Sequence, residues 1–313
     1  MSYFDTLYKP CLLDRHKIKV VSQPEFIILV NTALAGSASN TMQLPIRGTD
    51  MTIDWGDGFI QTGVTQTAVP SSANWITRVY PDGGGIKQIK ITGLDWIYFN
   101  NTGDRLKLLE IQNWGTGQWA SMQRAFNGCS NMIGTFTDVP DLSLVTVMSF
   151  MFVGTHNFNS DISGWDVSNV RNMGWMFAGA SSFNSDISLW NTANVRDMNR
   201  MFQVATNFNS DISSWNTAKV TDMNYMFFQA ANFNGDISGW DVGNVTSMLA
   251  MFRLATAFNQ DLSGWCVPLI PSHPFNFDAS ANSWVYNTNG DTGSTDGVDP
   301  ATIINRPIWG TCP

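Results

Sequence analysis

The sequence predicts a mixed, two-part fold: an antiparallel β-sandwich followed by an α/β solenoid of about six 25-residue coils. Two observations carry this expectation. One 25-residue phrase recurs, as DISGWDVSNVRNMGWMFAGASSFNS from Asp161, DISLWNTANVRDMNRMFQVATNFNS from Asp186, DISSWNTAKVTDMNYMFFQAANFNG from Asp211 and DISGWDVGNVTSMLAMFRLATAFNQ from Asp236. A unit this short cannot bury its own apolar face and must lean on the next, so the period means a stack. Ahead of it, Phe26-Ile-Ile-Leu-Val, Met51-Thr-Ile-Asp-Trp, Trp75-Ile-Thr-Arg-Val-Tyr and Ile86-Lys-Gln-Ile-Lys-Ile-Thr are β-type runs separated by Gly, Pro, Asn and Ser, which read as sandwich strands.

Within one unit the apolar positions Met173, Met176, Phe177, Ala180 and Phe183 follow the i, i+3, i+4, i+7 rhythm of a helix face. The spacing therefore predicts a short helix. Residues 184–188, with Ile187 flanked by polar residues, predict a short strand, and the Asn- and Asp-rich segment before Val170 or Val195 supplies turn and cap. Trp165, Trp190, Trp215, Trp240 and Trp265, and Met151, Met176, Met201, Met226 and Met251, each Met followed by Phe, are core columns.

The string FNxDISxW(D/N)xxxxVxxMxxMFxxAxxFN resembles the repeat of the BspA-like leucine-rich-repeat surface proteins of bacteria, also found in phage-encoded proteins. The resemblance covers about two-thirds of the chain, and Trp265-Cys-Val with Pro307-Ile-Trp-Gly-Thr-Cys-Pro matches the family's C-terminal seal. It implies a leucine-rich-repeat-like solenoid used for adhesion or recognition, with no catalytic residues to transfer. Asp54-Trp55-Gly56-Asp57-Gly58 is similar to the strand-and-turn signature of PKD-type immunoglobulin-like domains. The expected division is an N-terminal arm at 1–17, a PKD/immunoglobulin-like sandwich at 18–105, the BspA-like solenoid at 106–270 and a C-terminal cap at 271–313. Cys266 and Cys312 are the candidate disulfide, worth ~3–4 kcal/mol; Cys129 and Cys11 are expected to be free.

Charged residues make up only 13% of the 313, and the formal net charge is −8, with no cluster of Lys and Arg that would hold nucleic acid. No 18-residue apolar run would cross a membrane. Three scattered histidines, His16, His156 and His273, support no catalytic constellation, so a non-enzymatic protein is expected. Met1 to Lys19 lacks the charged, apolar and cleavage regions of an export signal. A chain built like a surface protein without that segment points to a phage virion component for attachment or receptor recognition. A bacterial cell-surface adhesin is the alternative, and a carbohydrate-active enzyme the alternative of another class.

Asp161, Asp186, Asp211 and Asp236 recur in register, where like charges about 5 Å apart repel by ~1 kcal/mol per pair. Either turn amides and Ser hydroxyls offset this, or calcium binds along the ladder; no other cofactor is expected. Asn287, Asn289, Asp291 and Asp296 form a second, looser cation candidate. Recognition is expected where the coils differ: Phe150, Trp175, Arg200 and Tyr225, each just before the Met-Phe or Met position, with Phe228 beside them. The expected partners are a host receptor or surface glycan at this row, and a neighbouring virion or surface protein at the N-terminal arm.

Overall fold

The computed structural model describes residues 25–281 and 306–313; the arm at 1–17 and the tail residues 287–296 lie outside them. The N-terminal part, expected as an antiparallel β-sandwich, is a six-stranded sheet whose last pair is parallel, with a two-stranded ribbon whose Met42 and Leu44 share its core. In chain order the strands are β1 (Phe26–Asn31), β2 (Thr41–Leu44), β3 (Ile46–Asp54), β4 (Ile60–Gln66), β5 (Ile76–Val79), β6 (Ile86–Ile97), β7 (Leu108–Asn113) and β8 (Ile133–Gly134). The sheet order is β4-β3-β6-β1-β7-β8, and β2 pairs with β5. Alternation does what the sequence demands of β1: Phe26, Ile28 and Val30 are buried and their neighbours are not. The loop between β1 and β2 is pinned from inside. Fully buried Lys107 donates to the carbonyls of Ser37, Ala38 and Thr41, while Asp104 accepts the amides of Ser37 and Gln43.

The expected α/β solenoid does not form. Among the described residues the one helical element is a single 3₁₀ turn, Arg105–Lys107, and the repeats contain no helix. The amides of Met173, Trp175, Phe177 and Gly179 donate at 2.7–3.0 Å to the carbonyls of Asp197, Asn199, Met201 and Gln203, 24 residues on in the next coil. Committed between coils, they cannot make the i→i−4 bonds of an α-helix. The remaining amides close tight turns: Met176 to Met173, Ala180 to Phe177 and Phe183 to Ala180. Successive turns of three and four residues bring the same side chains inward as a helix would, which is why the sequence rhythm reads as helical. The strand expected at 184–188 is absent too. The parallel bridges run instead through Val147, Asn172, Asp197, Asp222 and Ser247.

The turns closed by Met176 and Ala180 each carry a residue with positive φ at the third position, the requirement of a type II turn. Gly179 meets it at φ 70° without strain, but Trp175 at φ 62° does not have that freedom.

The core is continuous from the sheet into the stack. Phe177, Phe202, Phe227 and Phe252 form one column with ring centroids 5.6–5.8 Å apart, and Phe183, Phe208, Phe233 and Phe258 a second. The indoles of Trp190, Trp215, Trp240 and Trp265 stitch each coil to the one before, donating to the carbonyls of Ile162, Ile187, Ile212 and Ile237 at 3.0–3.1 Å. Cys266 and Cys312 are disulfide-bonded, tying the end of the chain to the last coil; Cys129 is a buried free thiol.

Phe202 lies 3.8 Å from Phe208 and is stacked between Phe177 and Phe227. Phe202→Ala is expected to cost ~3–5 kcal/mol in urea unfolding, because both neighbouring coils lose a contact. Far-UV circular dichroism of a fragment limited to the described residues 25–281 should show no helical double minimum.

Candidate functional site

The turn that carries positive φ also builds the outer row. Phe150, Trp175, Arg200 and Tyr225 have φ of 61°, 62°, 56° and 55°. The left-handed turn, not a helix, points them away from the core. A large side chain there costs roughly 1–2 kcal/mol relative to the ordinary backbone, and glycine would avoid the cost. No coil uses glycine at this position: the earlier and later coils carry Arg124 (φ 55°) and Ala250 (φ 51°).

These side chains are half-buried because they stack on one another. Phe150 and Trp175 lie nearly parallel, 5.4 Å apart. The Arg200 guanidinium sits between two rings, 4.5 Å from Trp175 and 4.4 Å from Tyr225. Tyr225 meets Phe228 edge to face at 5.8 Å, and Arg253 lies 5.6 Å over Phe228. At the other end Arg124 covers Phe150 at 4.9 Å and donates to the Tyr98 hydroxyl; Tyr98 abuts Trp96, which Arg47 covers. The structure thus joins all five row residues into one rail and extends it through Arg47, Trp96, Tyr98, Arg124 and Arg253. Sequence reasoning missed the extension. Arg124 precedes Ala125-Phe126 as Trp175 precedes Met176-Phe177, so aligning the worn first coil would have found Arg124; Arg47, Trp96 and Tyr98 lie before the repeats and carry no such signal.

The Asp column is exposed and engaged locally. Asp161, Asp186, Asp211 and Asp236 each accept the amide of Ser163, Ser188, Ser213 or Ser238 at 2.9 Å, and the Ser163 and Ser238 hydroxyls add a second bond. These bonds hold all four carboxyls below the usual range, and in Asp211 the nearby Asp186 and Asp236 oppose the shift. Among the described residues no group of three or more His, Cys, Asp or Glu is placed to hold a metal ion. Asp54 and Asp57 likewise accept amides two residues on, and Asp57 pairs with Arg78.

Two further polar columns complete the surface. Asn159, Asn184, Asn209 and Asn234 each accept the amide of the next Asn in the series at 2.7–2.8 Å. Closer to the rail, Asn172 donates to Asp197, and Asn199 to Asp222. His156 lies exposed with Nδ1 3.0 Å from the Gly179 carbonyl; His273 is at the cap beside Asp278, which pairs with Arg306. His16 is outside the described residues.

Fold and surface together define a turn-built repeat protein with one continuous side-chain rail. Residues 94–203 and 185–287 match the family described as "Mycoplasma protein of unknown function, DUF285", which is more than half the chain, and the protein belongs to that family. No curated protein and no solved structure matches it.

Burial raises the Asp197 carboxyl above its usual range and Asp222 adds to the shift, against hydrogen bonds from Asn199 and Asn172. A raised carboxyl contributes stability below the unfolded value of 3.8 and loses it as pH rises through the folded value. Asp197→Asn, which copies Asn172 one coil earlier, should therefore raise the melting temperature at pH 7. The gain should disappear below about pH 4, where Asp197 is protonated in both states.

Proposed function

We propose that this is a non-enzymatic, surface-displayed recognition protein of the BspA-like kind, binding through the aromatic and arginine rail. The observation that carries the reading is the run of aromatic residues and arginine, Phe150, Trp175, Arg200 and Tyr225, stacked at positive-φ positions of consecutive coils. The companion turn bears the same cost in later coils, with Val204, Gln229 and Leu254 at φ of 59°, 57° and 62° after Gly154 and Gly179; what sets the first turn apart is that four consecutive coils fill it with large aromatic side chains or arginine. Aromatic residues and arginine are the residue types that anchor interfaces. The family match supports a surface-repeat protein and indicates no enzyme family.

We place the displayed chain on a phage particle, attached through the N-terminal arm and facing a host receptor or surface glycan with the rail. A bacterial cell surface is the second reading, favoured by a family description that names a bacterium. Immunogold labelling of particles and of cells separates them.

Trp175→Ala is expected to weaken binding to host or target cells by ~1–3 kcal/mol. Trp175→Gly should weaken binding equally yet unfold at a higher temperature than Trp175→Ala, because glycine releases the backbone strain. Unaltered cell binding in both variants, with a large drop in melting temperature, would assign Trp175 to the core and refute the reading.

A further inference from the structure

The stacking geometry decides what the rail offers to a ligand. Both faces of Phe150 are covered, by Arg124 and Trp175; both faces of Trp175, by Phe150 and Arg200; and both faces of Arg200, by Trp175 and Tyr225. With faces turned on one another along the stack, the parts left to solvent are edges. An aromatic ring is negative on its face and positive at its edge, and a guanidinium carries all its N–H donors on its rim. Rings that offered free faces would stack on neutral sugars; this strip is a row of positive edges.

Among the described residues no carboxylate is paired with Arg124, Arg200 or Arg253, whereas Arg47, Arg78 and Arg306 are each paired with one. Asp197 and Asp222 turn their carboxylates to neutral amides and not to a rail arginine: Asp197 to the Asn199 amide and the Asn172 side chain, Asp222 to the Asn224 amide and the Asn199 side chain. Sandwiching also holds Arg200 flat, so its fork is pre-organised for an oxyanion.

We infer that the rail binds a linear acidic polysaccharide, its carboxylates received by Arg124, Arg200 and Arg253. The inference rests on the recognition reading above and names the ligand class for the same surface. Coils spaced ~4.8 Å apart put Arg124 and Arg200, in one column, ~14 Å apart, and set Arg253, in the column of Phe228, ~10 Å further along the stack from Arg200. Such spacing suits a polymer with one anion every few sugars. Duplex nucleic acid, with a charge about every 1.7 Å, would set most of its phosphates against surface that offers no cation, whereas a sparsely charged chain would not. A protein partner would seek an apolar interface centre, which a strip of edges and guanidinium rims lacks.

The test uses the full chain with hyaluronate, which bears one carboxylate per disaccharide, and with its methyl ester, which has the same backbone uncharged. Hyaluronate should bind, the ester at least tenfold more weakly, and affinity should fall with added NaCl. Arg200→Gln and Arg253→Gln should each weaken binding about tenfold, Arg200→Lys should restore it only in part, and Arg171→Gln, an exposed arginine off the rail, should change it less than twofold. Equal binding of acid and ester, equal effects of Arg171→Gln and Arg200→Gln, or tighter binding of single-stranded DNA or polyglutamate would overturn the inference. If Trp175→Ala weakens cell binding but hyaluronate does not compete, this inference fails alone. If no rail variant alters cell binding, the recognition reading fails with it.

Discussion

The repeat stack depends on one arrangement of the peptide group. In each coil four peptide units turn across the chain path, as at 147/148, 149/150, 151/152 and 153/154. Their carbonyls accept from the coil before, and their amides donate to the coil after, as from Met122 to Val147 and from Met148 to Asn172. The peptides between them close turns within the coil. Every buried amide and carbonyl so engaged is satisfied without helix or extended strand. The period follows from this geometry. An inserted residue shifts the following peptides out of line, and a one-residue change survives at the two worn ends, where the paired amide and carbonyl stand 25 apart instead of 24: Met122 with Val147 at the start, Ala250 with Phe275 at the end.

The same arrangement explains what was legible in the sequence and what was not. The core columns were legible because Trp, Met and Phe must stand above their counterparts for one coil to cover the next. Asp-Ile-Ser was misread as a strand because Ile187 stands alone among polar residues, as an inward strand residue would; the carboxylate instead takes an amide two residues on, as Asp161 takes that of Ser163 and Asp261 that of Ser263. The secondary structure was misread because inward side chains recur every three or four residues both in a helix and in a run of turns. Glycine at Met-x-x-Met would have exposed the turns. Phe, Trp, Arg and Tyr there concealed the positive φ, so the residues that most clearly suggest function also hid the conformation. Sheet order was out of reach for a different reason: it depends on pairings such as Ile28 with Ile111, far apart in the chain.

Strain and stacking at the rail are two sides of one constraint. A residue at positive φ directs its side chain off the coil, where an isolated Trp or Phe would be exposed to water. The next coil places its own large residue directly above, so each covers its neighbour's face. Arginine fits such a column because a guanidinium is planar and interacts favourably with ring faces on both sides. A run of rings alone would bury its faces equally well but would carry no charge. Alternation of ring and guanidinium covers the apolar faces and leaves donors along the rim.

The join between sheet and stack sets how far this surface acts as one body. The end of β6 runs directly into the first rung: Phe99, Asn100 and Asn101 donate to carbonyls of Ala125, Arg124 and Asn127, as later coils donate to their successors. Beneath this rung Trp114 packs against Phe26 of β1, Trp119, Phe126 and Trp165, so sheet residues and coil residues share one aromatic cluster. The Trp96 indole donates to the Gln123 carbonyl across the same boundary. A hinge needs a stretch of chain with few crossing contacts, and here backbone bonds, core and rail all cross together. The guanidinium spacings along the rail are therefore set by the hydrogen-bonded ladder beneath them, so a ligand that bridges Arg124 and Arg253 meets charges at fixed separations and need not order them on binding.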